Sequence, residues 1–312
     1  MTLLPFLLVT AGGAAAVLFV RGPERIATAV GLLALVAALV TSLALRPGQT
    51  LELGGSGIAT TAYLRLFLVL GSFVGLLLAA IGTAAGSRRE APAVTLAILG
   101  TSALALALPD PRLAVLAATA GGMFGALLCI APGGGRSGAA IGARALRATV
   151  VAGTMAIAAT AWIGRDLSDL AARPVVFGLA YLAMAVAVAI RLGVVPVHAW
   201  AARLTDAVSE TALPLVTAWA PAALAIVALA WTDASIAPLL VDLEQARIVV
   251  VAIALGSILL ASLAAWIQDD LEHIVGYAIV GDAAVVMLAA PLAPTASDNA
   301  AAAAASGRSA IT

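Results

Sequence analysis

Between Ile190 and Ala220 the sequence reads IRLGVVPVHAWAARLTDAVSETALPLVTAWA, which puts a permanent cation, a proline and an imidazole within a few residues of one another. Arg191 closes an apolar run that begins at Val175, and Pro196, His198 and Trp200 follow before any evident loop. Arg191 and His198 are seven positions apart, about two turns or roughly 10 Å of rise, so one continuous helix would project both from nearly the same side. Pro196 removes a backbone donor between them and clashes with the preceding turn, leaving polar backbone for neighbouring protein or water to satisfy. A fixed charge, freed carbonyls and a ring that can exchange a proton are the parts of a polar pathway through a membrane.

A charge at the bilayer centre costs about 2.5–3.5 kcal/mol on insertion scales, so each one needs a reason. Asp282 is placed near the middle of the apolar stretch GYAIVGDAAVVMLAA. It is either protonated there or paired with a cation such as Arg191. Upstream, QDDLEHIVGYAIVGD (Gln268 to Asp282) opens on a charged turn. Its Asp269 and Asp270 suit a helix N-terminus, while Glu272 and His273 offer exchangeable protons near an entrance. Asp206 and Glu210 are four apart and would share one helical face at the membrane rim. Plainer roles stand beside each of these: Arg191 snorkelling or fixing helix packing, His198 satisfying a backbone group, Asp206 and Glu210 forming a solvated face.

The elements that must hold these residues follow from composition. Of 312 residues 63% are hydrophobic and 10% charged, against roughly 25% charged in a soluble domain, and mean hydropathy is +1.13. This predicts an all-α polytopic transmembrane helix bundle. With about 20 apolar residues per crossing, helices are expected near 2–20, 26–45, 63–85, 92–108, 112–131, 148–164, 175–200, 212–231, 247–266 and 273–293, the seventh broken at Pro196. Leu45 to Ala62 reads as a Gly- and Thr-containing connection, Pro109-Asp110-Pro111 as a tight hairpin, and Pro132 to Gly142 as a flexible loop. Residues 1–294 form the membrane domain, and 295–312 a polar, low-complexity tail.

Formal charge is zero, which leaves no basic surface for nucleic acid, and the single cysteine, Cys129, excludes an internal disulfide or a cysteine-built metal site. We find no phosphate loop, nucleophile–base pair or metal cluster, so no cofactor is expected. The sixteen basic residues are all arginine, which stays charged where a buried lysine can lose its proton. The N-terminal stretch lacks a basic leader region and reads as a first helix, not a cleaved signal. Loops after odd-numbered helices hold eight arginines against six in the opposite loops and tail, a bias that favours an N-terminus outside an inner (plasma) membrane.

Two stretches together resemble the antiporter-like membrane subunits of respiratory complex I and of Mrp-type sodium/proton antiporters. A family segment like K-L-x-x-x-P-x-H-x-W is matched by Arg191, Leu192, Pro196, His198 and Trp200. A second, like Q-x-D-L-K-R-x-x-A-Y, is matched by Gln268, Asp270, Leu271 and Tyr277. The resemblance implies inverted five-helix repeats, each with a broken helix carrying a titratable residue. It implies other membrane subunits as partners, protons and sodium as the transported ions, and a place in a proton-translocating NADH:quinone oxidoreductase or an antiporter complex. The departures lie in the chemistry. The pathway lysine is Arg191; Trp219, Ala220 and Pro221 stand where another lysine is expected. The fifth helix has no acid, with Thr119 near the expected glutamate, and Lys-Arg of the second segment is Glu272-His273.

The expected function is therefore that of a membrane subunit in proton or cation translocation with a degenerate glutamate–lysine relay. Protons would pass by Asp282 and His198, with Glu210, Glu272 and His273 near the entrance. A non-transporting structural subunit is the first alternative. A secondary transporter whose Arg191 binds an anionic solute is the second.

Overall fold

The computed structural model describes residues 1–20, 24–53, 55–84, 90–130, 135–162, 174–209, 211–236 and 244–292. Among them are ten helices of 16 to 28 residues: α1 (Leu4–Phe19), α2 (Glu24–Leu43), α3 (Ala62–Ala84), α4 (Ala91–Ala107), α5 (Pro111–Ile130), α6 (Gly135–Trp162), α7 (Pro174–Leu192), α8 (Ala220–Ile236), α9 (Glu244–Ile267) and α10 (Leu271–Leu292). Seven spans, six of these helices and the run Leu215–Ala234 into α8, are long and apolar enough to cross a bilayer. The apolar helices α1, α4 and the 111–127 stretch of α5 are shorter. The fold is the expected all-α polytopic bundle, and Glu210 and the 295–312 tail lie outside the described residues.

α4 is the hub. It packs on α1, α2, α3, α5 and α8, and its sequence is apolar or small on every side, the pattern of a helix enclosed by others. Leu96, Ile98, Leu99 and Ala103 are all fully buried. Glycines let its neighbours close in: a methyl group on Gly100 would lie 2.7 Å from Thr10 Oγ1, and one on Gly121 2.7 Å from Thr101 Oγ1. Asp110 Oδ1 accepts the Arg112 N–H at 2.9 Å, closing the tight α4–α5 hairpin that two flanking prolines announce. The Leu45–Ala62 connection holds a two-stranded antiparallel hairpin, β1 (Thr50–Leu53) and β2 (Ser56–Ala59), registered from Thr50 opposite Ala59 to Leu53 opposite Ser56.

Three elements differ from the sequence-based expectation. α6 begins at Gly135, so much of the Pro132–Gly142 loop is helix. Beyond the Gly triplet the residues are strong helix formers, and Ile141, Ala145, Ala148, Ala152, Ala156 and Ala159 bury one face at helical spacing. The eighth helix starts within a residue of the expected 212, at Leu213, and differs inside: a single wide turn, Leu215–Trp219, leads into α8, with the Ala220 N–H donating to Leu215 O. Pro221 has no N–H for an α-helical bond to Thr217, and the wider turn absorbs that loss. The third is α7, which stops at Leu192 instead of running to Trp200.

Candidate functional site

The helix break precedes Pro196. Gly193 sits at φ +74°, where a Cβ-bearing residue is strained. Its N–H donates to Ile190 O at 3.2 Å, and the Val194 N–H donates to Ala189 O at 2.9 Å. Those two bonds form a Schellman cap, so α7 is stopped by glycine, and the proline lies exposed in the turn beyond. Trp200 folds back over the cap, 4% exposed, and its Nε1–H donates to Ile190 O at 3.3 Å. The chain then runs through short 3-10 turns at His198–Trp200 and Leu204–Asp206, with Ala201, Ala202 and Leu204 buried. Trp200→Phe removes one of the two donors to Ile190 O and should lower unfolding stability by about 1 kcal/mol. Thermal denaturation in detergent measures this, and an unchanged midpoint excludes that hydrogen bond as a brace of the break.

Because α7 ends at Leu192, no continuous helix carries Arg191 and His198 on one face. Arg191 occupies the last turn of α7 and is 2% exposed. The helix C-terminus offers it partial negative charge, yet its Nε and Nη2 have no hydrogen-bond partner among the described residues. The guanidinium lies against α5 at Gly122, where an added Cβ would be 2.7 Å from Nε and 2.8 Å from Nη2. Thr149 Cγ2 of α6 would be 2.7 Å from that same Cβ. Gly122 is eleven residues into α5, about 16 Å along it, so the cation is level with the middle of a crossing. Thr119 is one turn away; its Oγ1 donates to Val115 O at 2.7 Å, and its side chain faces Gly153.

Asp282 does not join Arg191. It is exposed on the outer face of α10, near Val285 and Val286, which are 56% and 50% exposed. Of the two placements open to Asp282, pairing with Arg191 is not formed, because the two side chains project in different directions, one into the bundle and one out of it.

The two sequence segments do meet. Gly276 of α10 packs against the main chain of Ala202, with the Ala202 carbonyl oxygen where a Cβ would stand. The rings of His198 and Tyr277 are 6.4 Å apart, and His198 Nδ1 is buried with no hydrogen-bond partner among the described residues. At the nearby end of the bundle, His273 Nε2 accepts from Arg203 Nη1 at 2.7 Å. That bond leaves the proton on Nδ1, which faces Asp270 Oδ2 at 3.4 Å. Asp206 Oδ2 is 3.6 Å from Arg203 Nη1 and 3.7 Å from His273 Nε2. Asp270 Oδ1 also accepts the Glu272 N–H at 3.1 Å, capping α10 as its position suggests. Glu272 and Leu271 are exposed and Gln268 half-buried. Asp206 closes its short 3-10 turn and the chain is not helical over 207–209, while Glu210 lies outside the described residues. Reading charges alone passes over Gly122, Gly193 and Gly276; Arg203 registers in the sequence only as a loop arginine.

Residues 154–305 match the family model described as NADH:quinone oxidoreductase/Mrp antiporter, TM. No curated protein matches the sequence significantly. Solved structures share the fold, among them three from multi-subunit membrane complexes. A chain of the membrane-bound sulfane sulfur reductase, an archaeal respiratory membrane complex, is 16% identical with a TM-score of 0.71, over 93% of this chain and 64% of that one. A chain of the Mrp complex from Dietzia sp. DQ12-45-1b is 18% identical with a TM-score of 0.73, over 92% and 58%. A chain of respiratory complex I from Thermus thermophilus is 18% identical with a TM-score of 0.68, over 91% and 64%. The chain thus spans about three-fifths of the length of these relatives.

Proposed function

Because residues 154–305 belong to the antiporter-like transmembrane family of NADH:quinone oxidoreductases and Mrp antiporters, we propose that this chain takes part in proton or cation translocation as one membrane subunit of a complex I-like or Mrp-like assembly. The observation that carries the proposal is the Arg191 guanidinium: buried, level with the middle of α5, with two N–H-bearing nitrogens unpartnered. Desolvated N–H groups of a cation are costly to leave unmet. Water at the α7 break is the cheapest way to meet them.

Arginine holds its proton at any working pH, so Arg191 acts as a fixed field and not as a carrier. It repels cations in the centre of the bundle and favours the unprotonated state of any titratable neighbour. His198, with its unpartnered Nδ1, is the exchangeable group next along the chain. The Arg203–His273–Asp270–Asp206 cluster forms the mouth, at the cytoplasmic end of an inner membrane if the N-terminus is outside. Asp282, turned outward, serves a pathway only where α10 meets a neighbouring subunit.

A second reading, a structural subunit that conducts nothing, has a specific observation in its favour: α5 offers Gly122, not a carboxylate, to the only buried arginine among the described residues. Proton and sodium flux through the assembled complex in vesicles separates the two. Under translocation, Arg191→Met is expected to reduce flux at least tenfold at equal assembly, with Arg191→Lys retaining part of it. Asp282→Asn is expected to act only through assembly. Wild-type flux in properly assembled Arg191→Met complex leaves the structural reading.

A further inference from the structure

A crevice separates α6 from the chain beyond the break. Arg144 and Arg147 are three apart on α6 and therefore on one face. Both are exposed, and neither makes a hydrogen bond or ion pair among the described residues. Between them and the Pro196–Trp200 segment is a crevice of about 450 Å³. Its walls below the two guanidinia are carbon: Val151, Ile190, Pro196, Val197 and Trp200.

Depth decides what fits. Arg191 meets Thr149 across Gly122 at mid-crossing. Arg147 and Arg144 are two and five residues nearer the N-terminus of α6, about 3 and 8 Å toward the bundle end that carries Arg203 and His273. Long arginine stems carry their heads further toward the headgroup layer. The site then offers two cations whose stems rise from the hydrocarbon layer toward the headgroups, above an apolar slot lined by Val151, Ile190 and Val197.

We propose that this crevice binds one anionic phospholipid, its phosphodiester between Arg144 and Arg147 and an acyl chain laid along Val151, Ile190 and Val197. Free phosphate is disfavoured because the carbon walls give it nothing. The lipid covers Pro196 and Val197, the exposed residues of the break, and so braces the turn that follows Arg191. The site stands on its own geometry, whether or not ions cross the bundle.

Native mass spectrometry of the purified full chain, with phosphatidylglycerol and phosphatidylcholine supplied in equal amounts, tests it. One phosphatidylglycerol should be retained in preference to phosphatidylcholine. Arg144→Gln/Arg147→Gln should weaken that retention by roughly thirtyfold, from about a fivefold contribution per interfacial arginine. Val197→Trp, which fills the slot and keeps both arginines, should also abolish it, and it controls for a folding defect in the double variant. Equal retention of the two lipids, undiminished phosphatidylglycerol in the double variant, or equal protection by inorganic phosphate overturns the proposal. So does loss of the lipid on assembly with partner subunits, which would make this face a protein contact.

Discussion

A Gly276→Leu variant should accumulate in the membrane at a small fraction of the wild-type level. The reason is backbone against backbone. The Ala202 carbonyl oxygen occupies the place of a Cβ on Gly276, and Ala202 is tied by its N–H to His198 O at 3.0 Å. Overpacking a core typically costs about 1–3 kcal/mol when side chains can give way. Here main chain must move, so a cost above about 3 kcal/mol is expected from a total stability of only about 5–15 kcal/mol. Gly276→Ala should fall between the two. Detergent-extractable yield and thermal midpoint are the measurements, and wild-type values for Gly276→Ala would show that α10 slides freely past the 201–204 segment.

Replacing Arg191 with methionine is expected to do the opposite to stability. Methionine approximates the volume of the arginine stem and removes two N–H-bearing nitrogens that have no partner. Exchanging buried ionic groups for apolar ones of similar volume gains about 1–4 kcal/mol where it gains at all. The lost attraction to the α7 C-terminus subtracts about 0.3–1 kcal/mol. A thermal midpoint several degrees above wild type should therefore accompany the loss of flux. A midpoint below wild type would mean that water at the break and the α7 C-terminus together more than offset the desolvation of the guanidinium. A residue that weakens the fold and is nonetheless present is one whose value lies outside stability.

How much of this was legible from residue types depends on what each residue signals. Arg191, Pro196 and His198 announce an interrupted helix because each is expensive in an apolar run, and the interruption is there. It falls three residues before Pro196, where a sequence does not show it, because proline is a louder signal than Gly193, whose role depends on a positive φ that only geometry reveals. The α6 boundary moved for the same reason, since the Gly triplet masked an alanine-rich helix start. Asp282 shows the limit of depth reasoning. Eleven residues into α10, it is at mid-crossing as its position suggests, yet a helix has a circumference as well as a length, and direction around it is set by what packs. Gly122 and Gly276 carry no charge, and they matter through the side chain they lack.

The outward carboxylate of Asp282 bears on how the C-terminal pair is made. The most apolar 18-residue window of α9 has a mean hydropathy of 2.7 and partitions into lipid readily, whereas that of α10 reaches 1.6 and carries an acid that costs it about 2.5–3.5 kcal/mol. The turn between them is only Gln268 to Asp270, and the two helices pack along each other. The greasier helix can therefore offset the insertion cost of the reluctant one, and the pair is expected to enter the bilayer as a single hairpin.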